Sequence, residues 1–252
     1  MNSATVRNLL VRGMLAGLAA GVLALVVAYL LGEPSVDSAI GFEEAHSHAH
    51  GHEVELVSRS LQSTAGLATG VLVYGVSFGG IAALAYCFAL GRVGRFGPRA
   101  TALLLSGTAL LAVYVVPFLK YPANPPSVGD PDTIGKRTAL YFLMMVLSVL
   151  LAVAATILGK RLTSSLGTWY ATVVAVAAFA VVIGLAYAFL PVINEVPGDF
   201  PATLLWRFRL SALAIQTVLW AGFGLVFGEL AERMLNPKPA TAASGRTVPT
   251  AS

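Results

Sequence analysis

Charge is what this chain has least of. Of its 252 residues, 11% are charged and 57% are hydrophobic, with a mean hydropathy of +0.79. A soluble domain carries about 25% charged residues. A surface this poor in charge is not solvated well enough for a free globular protein. Cysteine is nearly absent too. The single Cys87 falls inside an apolar run, so an internal disulfide and a thiolate metal cluster are both excluded. Cys87 reads as a small packing residue. Ionisable residues are missing from the middle of every apolar run. Proton-coupled pumps depend on such residues within the membrane, and a haem-binding bundle needs axial ligands there. The sequence has no HExxH for a zinc protease and no Walker motif for a nucleotide. No nucleophile–base pair stands out. The chain therefore reads as a non-enzyme without an organic cofactor.

What is abundant is apolar sequence in blocks. A membrane crossing needs roughly 20 apolar residues for a hydrocarbon core about 30 Å thick. Six segments meet that length, at about 13–31, 66–90, 100–119, 139–158, 167–190 and 210–230. The first is longer than the apolar core of a signal peptide, about 7–15 residues, and reads as an uncleaved helix. The expectation is an all-α integral membrane protein, a bundle of about six transmembrane helices with Pro-rich acidic outer loops. It occupies residues 1–235, and a Pro-, Ala-, Ser- and Thr-rich cytoplasmic tail, 236–252, is expected to be disordered.

Lysine and arginine in the connections give an orientation. With the N-terminus in the cytoplasm, ten of the sixteen basic residues fall in inner segments, among them Arg92, Arg95, Arg99, Lys160 and Arg161. Ten of the twelve acidic residues fall in outer loops. The positive-inside rule then places both termini in the cytoplasm of a cell (inner) membrane protein. The net charge of +4 reflects this bias and calls for no nucleic acid. Glycines at 13, 17 and 21 share one face of the first span, and Gly66 with Gly70 and Gly224 with Gly228 repeat the spacing. Small residues at that spacing let helices approach closely, inside the bundle or against a partner.

All four histidines lie in His46-Ser47-His48-Ala49-His50-Gly51-His52, preceded by Glu43 and Glu44, in the first outer loop, 32–65. Pro34 is expected to stop the first helix. Neutral imidazole is the commonest protein ligand for borderline transition metals. On a helix Glu44, His48 and His52 share one face; on an extended chain all four histidines do. Either conformation presents several ligands together, so His46, His48, His50 and His52 with Glu43 and Glu44 form a candidate capture site for a divalent ion. A solvated linker of biased composition is the alternative reading of the same tract. Asp130 and Asp132 in the second outer loop, and Glu195 and Asp199 in the third, sit on proline-rich backbone and are candidates to relay a cation.

Several stretches carry a family resemblance. They are Arg12-Gly13 with Ala16-Gly17; Gly32-Glu33-Pro34 with Glu43-Glu44-Ala45-His46; Glu55-Leu56-Val57-Ser58-Arg59 with Gln62-Ser63-Thr64; the long run from Pro117 through Lys120-Tyr121-Pro122-Ala123-Asn124-Pro125-Pro126 to Gly129-Asp130-Pro131-Asp132-Thr133-Ile134; and Trp206-Arg207-Phe208-Arg209. Over nearly its whole length the chain resembles the CbtA family of predicted cobalt transporter subunits. The resemblance implies cobalt uptake tied to cobalamin supply. It also implies a small single-span, histidine-rich partner of the CbtB kind, and about five spans where hydropathy gives six. Residues 43–55 themselves do not single out cobalt, since imidazole and carboxylate bind Ni²⁺ more tightly than Co²⁺. The reading is a membrane subunit for uptake of a divalent transition metal, cobalt or nickel, in the lipid bilayer and possible as a homo-oligomer. The alternative is a non-transporting metal-binding or sensing module that hands metal to a partner. An inside-negative potential of 100 mV favours inward movement of a dication by roughly 4.6 kcal/mol, so uptake needs no coupling residue of its own.

Overall fold

A computed structural model of the chain describes residues 2–46, 58–126, 128–130 and 132–237. Every element among them is helical. In chain order these are α1 (Ser3–Val27), α2 (Glu33–His46), α3 (Arg59–Leu61), α4 (Leu67–Ala89), α5 (Pro98–Ala109), α6 (Val116–Lys120), α7 (Ile134–Phe189) and α8 (Ala202–Leu235). Single π-helical turns, Ala28–Gly32, Gln62–Gly66 and Leu110–Val115, join α1 to α2, α3 to α4 and α5 to α6. Among the described residues five continuous helical runs are long and apolar enough to cross a membrane.

The fourth of those runs, α7, resolves the difference between five spans and six. Its 56 residues would extend about 84 Å as one straight helix, far beyond a bilayer. At Gly167 the backbone turns back, with φ 73° and ψ 165°, a conformation that glycine adopts without strain. The halves 134–166 and 168–189 return along each other: Gly159 lies against Ala175, and Met144 and Ile183 share one buried cluster. Lys160 and Arg161, expected in a connection, belong to the helix, and the turn comes six residues later. Five runs thus accommodate all six apolar segments.

Pro34 does not stop the first helix, because the turn before it is π-helical. There the Glu33 N–H bonds to Ala28 O, five residues back. The widened turn relieves the clash that a proline ring makes with the carbonyl four residues earlier. The chain stays helical to His46, so much of the expected loop 32–65 is helix. Pro117 follows the π turn Leu110–Val115 in the same way and lies inside α6. Carbonyls in or next to these turns accept from hydroxyl donors on neighbouring helices. Ser211 Oγ donates to Leu31 O at 2.8 Å, Ser148 Oγ to Ala112 O, and Tyr187 Oη to Val116 O.

The core is built by α1 packed on α4 and α8, with α5 against α8. Gly13 and Gly17 of α1 meet Gly75 and Gly79 of α4 backbone to backbone. A Cβ on Gly17 would stand 2.1 Å from Gly75 O, and one on Gly79 2.3 Å from Gly13 O. The glycine face expected of the first span is therefore used for internal packing. Its partners are Gly75 and Gly79; Gly70 has open space around it. Gly224 and Gly228 bring α8 against Ser106 and Ala102 of α5. Phe78, Trp220, Phe223, Phe227 and Tyr86 fill the centre edge to face or stacked. The α7 hairpin stands to one side, attached through α6 and the π turn before it. At its other end Lys160 Nζ donates to Arg92 O at 2.6 Å. One end of the bundle, the turn face, carries the turns around 90–97 and at Gly167. The opposite end, the loop face, carries the end of α2, the start of α3 and the second and third connections, between α6 and α7 and between α7 and α8.

Gly79→Val should separate α1 from α4, since overpacking alone costs about 1–3 kcal/mol even where side chains can yield, and here the obstacle is backbone. Thermal unfolding in detergent should show a large loss for Gly79→Val and none for Gly70→Ala.

Candidate functional site

At the loop face α2, the second and third connections and α8 share one small apolar core. Ala39 of α2, Val128 of the second connection, Phe200 of the third and Leu205 of α8 are buried together. Phe42 stands edge-on to Phe200 with ring centroids 5.1 Å apart. Below this core Arg59 joins the two sides of the first connection. Its Nη2 reaches Asp37 Oδ1 at 2.8 Å and also Glu33, and its Nε reaches Asp37 Oδ1 at 3.1 Å. Glu33 and Asp37 lie one turn apart on α2, so one guanidinium spans both.

The second connection, Tyr121-Pro122-Ala123-Asn124-Pro125-Pro126, has few N–H groups and no strand partner. Its carbonyls are satisfied by cations from distant helices. Arg137 Nη2 donates to Pro122 O at 3.2 Å, Arg209 Nε to Ala123 O at 3.2 Å, and Arg209 Nη2 to Asn124 Oδ1 at 3.2 Å. Lys120 Nζ donates to Tyr187 O at 2.8 Å and Tyr121 Oη to Pro191 O at 2.9 Å. Burial raises the Tyr121 phenol above its usual pKa, which keeps it a donor. In the sequence Lys120 and Arg209 stand within the motifs that carry the resemblance and Arg137 just beyond one of them, with no role assigned to any of the three. Their place inside or beside the long quoted motifs was the signal that they do more.

The candidate relay acids differ in their surroundings. Glu195 is enclosed, with 4% of its side chain exposed, and pairs with Arg137 Nη1 at 2.9 Å while accepting from Thr133 Oγ1. Asp130 is exposed and shapes the turn into α7: its Oδ1 accepts from the Asp132 N–H at 2.9 Å and its carbonyl from the Thr133 N–H at 3.0 Å. Asp132 and Asp199 are exposed at the same face. Of the capture residues, Glu43 and Glu44 lie exposed on α2 and His46 is its last residue. His48, His50 and His52 fall outside the described residues, as does the tail from 238 onward. Among the described residues no three His, Cys, Asp or Glu side chains come together in a way that would hold a metal ion.

Removing one partner of an enclosed ion pair leaves the other uncompensated, which costs about 3–5 kcal/mol. Arg137→Ala should therefore lower the unfolding temperature in detergent sharply, and Glu195→Gln nearly as much. The double variant should lose less than the sum of the two. Asp132→Asn, on an exposed carboxylate, should leave the unfolding temperature unchanged.

The match to known proteins covers nearly the whole chain. The family model described as probable cobalt transporter subunit (CbtA) matches residues 6–232. No curated protein and no solved structure matches. The matched range takes in every helix from α1 to within a turn of the end of α8, together with the loop-face connections. The long run from Pro117 to Ile134, which the two arginines hold in place, lies inside it. The chain belongs to the CbtA family of probable cobalt transporter subunits.

Proposed function

We propose that this protein is the membrane subunit of an uptake system for divalent cobalt, able to take nickel as well. The observation that carries the reading is membership in a transporter-subunit family over residues 6–232, in a chain whose helices are long and apolar enough to cross a membrane. The loop face is outside in this reading and both termini are cytoplasmic, as the basic residues favour. The tract His46–His52, with Glu43 and Glu44 at the end of α2, captures the ion. Imidazole and carboxylate suit a borderline dication, and the acids of the loop face raise its local concentration. Asp130, Asp132 and Asp199 pass it on. Glu195 joins them only by exchanging Arg137 for the ion. Membership in a subunit family implies a partner protein, and a small single-span, histidine-rich protein of the CbtB kind is our reading of it.

The alternative, a membrane metal-binding module that moves nothing, draws support from the packed aromatic centre formed by Phe78, Trp220, Phe223 and Phe227. That centre leaves no room for an ion between α1, α4 and α8. The two readings separate in sealed vesicles with an inside-negative potential. Labelled Co²⁺ and Ni²⁺ should accumulate with the wild-type chain. Replacement of His46, His48, His50 and His52 by alanine should reduce accumulation at limiting metal by about tenfold or more, as expected when several imidazole ligands are lost, and less at saturating metal. Metal bound by the protein but never carried inward, with or without the partner, would establish the alternative.

A further inference from the structure

The tyrosines divide into two groups. Tyr86, Tyr121 and Tyr187 each donate to a backbone carbonyl of a neighbouring segment: Pro98 O, Pro191 O and Val116 O. Tyr74 of α4, Tyr114 of the π turn Leu110–Val115 and Tyr141 of α7 make no hydrogen bond among the described residues, yet they lie within electrostatic range of one another. Tyr114 and Tyr141 stand together, and Tyr74 lies within electrostatic range of both. Tyr114 and Tyr141 lie about two turns from Lys120 and Ile134, the helix ends at the loop face. None of the three is enclosed by protein, Tyr74 being exposed and Tyr114 and Tyr141 half-buried, and the interior of a bilayer supplies no water to an isolated hydroxyl.

A cavity of about 360 Å³ opens beside them, with Tyr114, Tyr121, Tyr141, Thr138 and Arg137 in its wall. Six waters at about 30 Å³ each would fill about half of it. Arg137 brings little net charge, because Glu195 pairs with it. Tyr114 owes its position to a π turn, a feature frequent at functional sites, and its ring stacks on Phe118 at 5.5 Å.

We propose that the hydroxyls of Tyr74, Tyr114 and Tyr141 form a transit site for a hydrated divalent cation, reached from the loop face through this cavity. The proposal rests on the uptake reading and supplies part of its path. The waters around a dication are strong hydrogen-bond donors, and a phenolic oxygen accepts from them. The ring faces add cation–π attraction. A site with neither carboxylate nor imidazole holds the aquo ion weakly, and conduction needs binding weak enough for the ion to leave. The path then runs between the bundle and the α7 hairpin and bypasses the aromatic centre.

The test uses the full chain in sealed vesicles, with Co²⁺ as the probe and two readouts. The first is hydroxyl-radical footprinting. Tyr114 and Tyr141 should be oxidised, showing water at the site, and excess Co²⁺ should protect them. The second is uptake by the triple variant Tyr74→Phe, Tyr114→Phe, Tyr141→Phe, which keeps every ring. Uptake should fall roughly tenfold or more, while Co²⁺ binding at limiting metal, set by the histidine tract, stays unchanged. Rings that escape oxidation, or that Co²⁺ does not protect, overturn the proposal. So does a triple variant that carries Co²⁺ at the wild-type rate. If the wild-type chain carries no Co²⁺, with or without the partner, the uptake reading fails, and footprinting alone decides the cation site: protection upholds it and no protection overturns it.

Discussion

The contact between Gly13 and Gly17 on α1 and Gly75 and Gly79 on α4 is the constraint from which the rest of the bundle follows. In lipid, apolar side chains gain little by leaving one hydrocarbon surface for another, so helices associate through close van der Waals contact. Backbone meeting backbone supplies it, and no residue larger than glycine fits. Once α1 and α4 form this tight pair, the groove between them accepts the large side chains of α8. Phe223 and Phe227 lie fully buried there beside Ala16, Ala20 and Ala83. Gly224 and Gly228 then seat α5 on the opposite side of α8. The hairpin takes no part in this core. It is held by a separate apolar cluster with Val116 and Tyr121 and by polar contacts along its length.

One rule covers the prolines, the π turns and the scattered cations. No backbone polar group at membrane depth goes without a partner unless water can reach it. A proline in a spanning helix leaves an earlier carbonyl without its N–H donor. Ser211, Ser148 and Tyr187 donate to carbonyls in or next to the π turns that precede the prolines. At the loop face the same demand comes from irregular chain, and Arg137, Arg209 and Lys120 meet it. Arginine suits this task because its rigid fork of donors can grip two acceptors at once.

These arrangements explain what could be read from the sequence. The six apolar segments and the helical class were legible because hydrocarbon thickness fixes their length. The glycine face of the first span was legible because it repeats every fourth residue. Its partners were not, since spacing identifies a face and says nothing about what meets it: Gly70 fits the pattern and faces open space, while Gly75 and Gly79 make the contact. Pro34 misled because a π turn leaves no sequence signature. The run Lys120 to Pro126 stood out by composition, but its anchors Arg137 and Arg209 lie far along the chain, joined to it only by folding. Glu195 looked like one more loop acid until Arg137 and Thr133 were found around it. Nothing in the sequence distinguishes the unbonded tyrosines from those that bond to carbonyls.

The uninterrupted helix from α1 into α2 bears on chemistry at the surface. The 14 residues of α2 add about 20 Å along the helix axis beyond the π turn. The polar headgroup layer on each side of a bilayer is only about 5–8 Å deep. Phosphate and serine oxygens of lipids are themselves ligands for dications, present in great excess and bound to the surface. In the uptake reading, with the loop face outside the bilayer, a stem longer than that layer is deep would carry Glu43, Glu44 and His46 clear of this competing sink, where they would meet metal at its bulk activity, undepleted by the lipid.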